Sequence, residues 1–168
     1  LIHFHIFFLI FIPYKPQKTT PMTKKLIYAT LAGAVVQFLL GWLIYGIVLS
    51  GFMESQTFHY EGLIKDMNSW RFIVLTFVSG IAMMFMIAYI FQRWAKFDTF
   101  MKGLTGGLLL GFLLMFSMDL SFFSMMHLYT KWGMIVDVIV GTIMMGIDGG
   151  IIAWVLGYKT KSVEEPKK

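Results

Sequence analysis

Residues 103–123 read GLTGGLLLGFLLMFSMDLSFF, and only one side chain in that run, Asp119, carries a formal charge. A hydrocarbon core about 30 Å thick takes about 20 mostly apolar residues as one helical span, at about 1.5 Å of rise per residue. The run meets that length, so its first reading is a transmembrane helix with a carboxylate inside it. Working outward in both directions, three more stretches meet the same requirement, giving expected spans at about 26–49, 72–91, 103–126 and 134–156. A long polar loop (50–71), a short basic segment (92–102) and a tight turn near 127–133 connect them. Connections of this kind predict an all-α, up-down-up-down bundle of four transmembrane helices over residues 22–158.

Composition agrees. Of 168 residues, 58% are hydrophobic and 14% charged, where a soluble domain has about 45–50% and about 25%. The surplus apolar surface has to face lipid. The chain has no cysteine, which excludes disulfides, Cys-ligated metals and thiol nucleophiles. Its net charge of +5 does not form a nucleic-acid patch. The Lys and Arg residues lie between and beyond the apolar runs, as membrane topology requires, so no nucleic-acid partner is expected.

Those basic residues set an orientation. Lys15, Lys18, Lys24, Lys25, Arg93, Lys96, Lys102, Lys159, Lys161, Lys167 and Lys168 fall on one side of the four spans, and Lys65, Arg71 and Lys131 on the other. The positive-inside bias places both termini and the 92–102 segment in the cytoplasm. The loop with Glu54, His59, Glu61 and Asp66 is then outside. Trp70, Trp94, Trp132, Trp154 and Tyr158 lie near span ends, where amphipathic rings favour the interface.

The first 21 residues stand apart. LIHFHIFFLIFI supplies only twelve apolar residues before PYKPQKTTP, which is short for a span. Its charges follow the apolar run instead of preceding it, unlike a signal peptide. From Met22, MTKKLIYATLAG reads as a natural start, so residues 1–21 are expected to be a non-native or disordered extension. An interfacial anchor is the rival reading. His3 and His5 form only an isolated pair within it and make a weak metal signal. Residues 159–168 are expected to be a charged, disordered cytoplasmic tail.

Helices in lipid associate through small residues that let backbones approach, since lipid tails are as apolar as Leu. Gly103, Gly107 and Gly111 repeat at four-residue spacing, as do Gly149, Ala153 and Gly157. Two uses are open: packing within the bundle, or a seam for a homodimer or a membrane partner. The fourteen methionines include adjacent pairs such as Met144–Met145. Neighbours on a helix point about 100° apart and cannot chelate together, so Met reads as adaptable filler and not as a Cu(I) site.

The acids carry the functional question. Measured from the span midpoints, Asp119 lies about 9 Å and Asp137 about 12 Å toward the outside, with Asp148 about 4–5 Å toward the inside. Asp119 and Asp137 therefore share a depth on helices joined by a tight turn. Asp137 and Asp148 are separated by about 20° around their helix and share one face, with Gly141 and Met144 between them. A carboxylate at the bilayer centre costs roughly 2.5–3.5 kcal/mol, and no Lys or Arg lies inside any span. Protonation, neutral hydrogen-bond donors or a bound cation must compensate. Candidate donors are Gln37, Trp42, Tyr45, Thr76, Ser79, Ser117 and Ser121, and His127 near the outer end of its span is a candidate proton exchanger. The set expected to bind a ligand or proton is Asp119, Asp137, Asp148, His127, Gln37 and Tyr45. The plainer alternative makes the acids inter-helix ties.

Glu54, His59 and Glu61 match no helical ligand set and read as a solvated loop. No nucleophile–base pair, metal-ligand set or phosphate-cradling loop is present, so no catalytic residue, metal or cofactor is expected and the chain does not read as an enzyme.

The stretches KKLIYATLAGAVVQFLLGWLIYGIVLSGF (24–52), AYIFQRWAKFDTFMKGLTGGLLLG (88–111) and VDVIVGTIMMGIDGGIIAWVLG (136–157) resemble a bacterial family of small four-helix integral membrane proteins of unknown function. The resemblance runs from Met22 to Tyr158 on Gly and aromatic positions. It implies a multi-pass protein of the bacterial inner membrane and brings no activity or site residue. Two functions stay open: binding or conducting a proton, cation or small ligand through the acids, or an accessory subunit docked through glycine-rich faces.

Overall fold

A computed structural model of the chain describes residues 24–62 and 69–158. The 1–21 extension with His3 and His5, Lys65 and Asp66 of the long loop, and the 159–168 tail lie outside the described residues. Within them are five α-helices and no strand. Helix α1, Lys24–Leu43, runs on as a π-helical turn, Ile44–Val48. Helix α2 is Ser50–Gln56. Helix α3, Trp70–Ile90, likewise runs on as a π-helical turn, Phe91–Ala95. Helices α4 and α5 are Phe100–Met125 and Lys131–Gly157.

Four helical stretches, Lys24–Val48, Trp70–Ala95, Phe100–Met125 and Lys131–Gly157, are long and apolar enough to cross a membrane. Such a helix satisfies its backbone N–H and C=O groups internally, which hydrocarbon demands. Each begins a few residues before the span expected from hydropathy, because helices carry their polar first turns with them. Ser50–Gln56 is helical where a loop was expected. Its Ser, Glu and Gln residues mark polarity, not a break, and the chain turns extended only at Thr57.

Side chains fix several ends. Ser69 Oγ accepts from Arg71 N at 3.3 Å and Thr130 Oγ1 from Gly133 N at 3.2 Å, capping α3 and α5. Lys96, in the left-handed region at φ 51°, ends the second π-helical turn. Gly157 packs on the backbone of Asp98 in the connection that follows.

Helices α4 and α5 share the largest interface. Gly103 lies against the Gly149 carbonyl and Ala153, Gly107 against the Met145 carbonyl and Gly146, and Gly111 against Met145. A Cβ on Gly103 or Gly107 would strike backbone, so these positions let the two chains touch. Helix α1 packs on α5, with Gly33 against Ile152 and Gly41 near Met144, and also on α3, with Gly33 near Met84 and Phe38 edge-on to Phe77. Helices α3 and α4 share no comparable interface.

Burial divides the bundle. At the end that carries Lys24, the connection after Ala95 and Gly157, called the basal end below, Leu26, Ala29, Met84, Ile87, Ala88, Phe91, Ile152, Ala153 and Leu156 form the core. At the opposite, loop end, residues 71–76 of α3 and 121–125 of α4 are exposed on every side.

Candidate functional site

The loop end holds the polar cluster. The π-helical turn of α1 closes with Leu49 N donating to the Ile44 carbonyl, five residues back, at 2.7 Å. Tyr45 lies in that turn, and its hydroxyl donates to Asp137 Oδ1 of α5 at 2.5 Å. Wide turns of this kind recur at functional sites. Asp119 of α4 lies near enough to Asp137 for the two carboxyls to interact electrostatically. It is only 7% exposed, and its Oδ2 has no partner. Three helices thus deliver two carboxyls and a phenol to one place.

A second phenol comes from the α4–α5 connection. Burial pushes the pKa of Tyr129 above the ordinary tyrosine value, and the nearby Asp137 and Asp119 carboxyls push it further the same way. The same connection is clasped to the end of α2. Thr130 Oγ1 donates to Gln56 Oε1 at 2.5 Å, Thr130 N to the Gln56 carbonyl at 2.9 Å, and Phe58 N to the Leu128 carbonyl at 3.0 Å. Thr57 and Tyr129 form an isolated antiparallel bridge. Gly133 gives the clasp its seat, because a Cβ there would come within 3.0 Å of Gln56 Cβ.

Donor counting shows what the pair can do. An ionised carboxylate only accepts. Tyr45 supplies one proton to Asp137, and no described side chain supplies one to the Asp119–Asp137 contact. Among the described residues no basic side chain acts on Asp119 either. A proton or a compact cation between the two carboxyls would relieve their repulsion. Among the described residues no three His, Asp or Glu side chains come together as a metal site.

Asp148 sits elsewhere, 0% exposed in the α1–α5 seam, with neither carboxyl oxygen hydrogen-bonded. Gln37, on the α1 side of the seam, has a buried Oε1 that is also unpartnered. The structure therefore joins Tyr45, Asp119 and Asp137 in one cluster and leaves Asp148 and Gln37 apart from it. His127 is exposed in the connection, with no hydrogen bond to the acids among the described residues. Trp42, Thr76, Ser79, Ser117 and Ser121, the other candidate donors, lie at or near the surface, and Ser121 bonds to the Ser117 carbonyl. Glu54, His59 and Glu61 are exposed as well. The spaced glycines of α4 and α5 meet one another within the chain.

Sequence reasoning missed Tyr129, Gln56 and Thr130. Thr130 was legible as a helix cap, a Thr directly ahead of an apolar helical run. Tyr129 and Gln56 carry no such signal, since a turn and the unexpected helix α2 bring them into place.

No protein-family model, no curated protein and no solved structure matches the chain.

Proposed function

We propose that the chain is a non-enzymatic, multi-pass protein of a bacterial inner membrane that binds a proton between Asp119 and Asp137. Its helices run up-down-up-down with both termini in the cytoplasm, as the Lys and Arg distribution directs. The cluster then faces the outer leaflet. The observation that carries this reading is the Asp119–Asp137 contact itself. Two carboxyls meet in a half-buried site with, among the described residues, one phenolic donor and no base, and a single shared proton satisfies that contact.

A tie between helices would be served as well by an amide. Two acids carry an added desolvation cost that a binding role explains. The rival reading, an accessory subunit docked through its glycine faces, has less support, because Gly103, Gly107, Gly111, Gly149 and Ala153 are used inside the chain. A homodimer or a membrane partner would have to use other surfaces.

The test is thermal unfolding of the detergent-purified full chain across pH, for the parent, Asp119→Asn and Asp137→Asn. The folded pair holds a proton that the separated carboxyls of the unfolded chain release. Stability is therefore expected to fall as pH rises through the range where the pair deprotonates, and each Asn variant should flatten that dependence. A parent whose melting is independent of pH over the range where it stays folded, with Asn variants that merely melt earlier, would show the acids to be ties.

A further inference from the structure

Asp148 is the most completely buried polar side chain among the described residues, and both its oxygens lack partners. It lies between Met144 and Ile152 on the α5 face that meets α1. Met144 is near Gly41 and Ile152 packs on Gly33. The same antiparallel register places Asp148 at the level of Gln37, whose Oε1 is also buried and unpartnered. Three acceptor oxygens share one level, and no described side chain donates to any of them.

Among the described residues no charged remedy is at hand. At this level α1 presents Gly33, Gln37 and Gly41, α4 presents Gly103 and Gly107, and α3 presents Met84. None is charged, and no charged group among the described residues acts on Asp148. An unpaired buried carboxylate is among the costliest groups a protein can hold. One proton removes the conflict. A neutral Asp148 owns an O–H donor, and the Gln37 carbonyl is the acceptor at its level.

We infer that Asp148 and Gln37 form a second proton-binding site, in which Asp148 carries the proton and donates it to Gln37 Oε1. The proton comes from solvent when the α1–α5 seam opens. This deepens the proton-binding reading of the loop-end pair but rests on different side chains. Asp137 and Asp148 are about 16 Å apart along α5, many times the length of a hydrogen bond, so the two sites fill separately.

Infrared difference spectroscopy of the full chain in lipid nanodiscs tests this, with protonated-carboxyl C=O bands followed across pH and after transfer to D2O. The parent should show a carboxyl band at neutral pH that exchanges slowly. Asp148→Asn, which keeps the shape of the side chain, should lose that band. Asp119→Asn should keep it. Gln37→Met, which removes the acceptor, should move it to higher wavenumber. An Asp148→Asn spectrum identical to the parent's would overturn the inference, as would loss of the parent band on adding sodium at fixed pH, which would assign the site to a metal cation. If Asp148→Asn does not fold, an unmoved band in Gln37→Met overturns the inference in its place. Loss of the band in Asp148→Asn with no spectral change in Asp119→Asn would leave this site standing and remove the loop-end one.

Discussion

The basal half and the loop half of this bundle are built from the same four helices, yet they pack differently. At the basal end, small residues line the contacts: Ala29, Gly33 and Ala34 on α1, Gly103 and Gly107 on α4, and Gly146, Gly149, Gly150 and Ala153 on α5. Backbones touch and apolar side chains fill the remainder. Toward the loop end, residues 112–125 of α4 contain no Gly or Ala, nor do residues 70–78 of α3. Bulky side chains hold those segments apart, and residues 71–76 of α3 are exposed on every side. Polar contacts, the Tyr45–Asp137 bond and the Gln56–Thr130 clasp, add to the apolar packing of Met115 on Gly141 there. Small residues set how closely helices approach, and polar groups hold what steric bulk leaves open.

That contrast can be broken most severely at its tight end. Gly107→Leu should drive a side chain into the Met145 backbone, costing about 3 kcal/mol or more, read as loss of the folded state in denaturant titration in mixed micelles. Gly80→Ala, where a Cβ meets open space, should be neutral or stabilising by up to about 1 kcal/mol. Equal losses at the two positions would show that the halves do not differ in packing.

At the loose end, Tyr45→Phe removes the one donor to Asp137 among the described residues and should cost about 1.5–3 kcal/mol, in the range for a hydrogen bond to a charged group. The same measurement should show an altered pH dependence, which a purely structural loss would leave in place.

The smallest effect is expected at Tyr129. Its pKa is raised in the folded protein, so the neutral phenol is favoured there over the unfolded chain. The associated stability is intact below the ordinary tyrosine range of about 10 and lost as pH climbs through the raised value. Tyr129→Phe should therefore reduce the alkaline loss of melting temperature and leave the neutral value within about 2 °C.

Much of this was legible in the sequence. Four apolar runs of bilayer length show as four long helices because hydropathy and backbone satisfaction impose the same solution. The depth of Asp119 and Asp137, and their helices' tight connection, predicted that they could meet. Four-residue spacing of Gly103, Gly107 and Gly111 predicted one close-packed face, but spacing is silent on which helix lies opposite, which contacts at Gly149 and Met145 decide. Tyr45 was, with Gln37, one of two donors carried from seven into the expected set, but the π-helical turn that positions it leaves no composition signal. The exposed position of His127 depends on the path of the short connection, which local sequence does not fix.

The widened turn at Ile44–Val48 has a geometric consequence for everything after it. A row of residues four apart drifts by about 40° per step around an ideal α-helix. Gln37, Gly41, Tyr45, Leu49 and Met53 form such a row, and all five are half-buried. By holding one more residue than an α-turn, the π-turn works as a vernier that returns the row to α5 and sets α2 in phase with Thr130. Length is therefore the sensitive variable here: deleting one residue from 44–48 would rotate Gln56 by about 100° away from its partner, whereas most substitutions in the turn would leave that phase untouched.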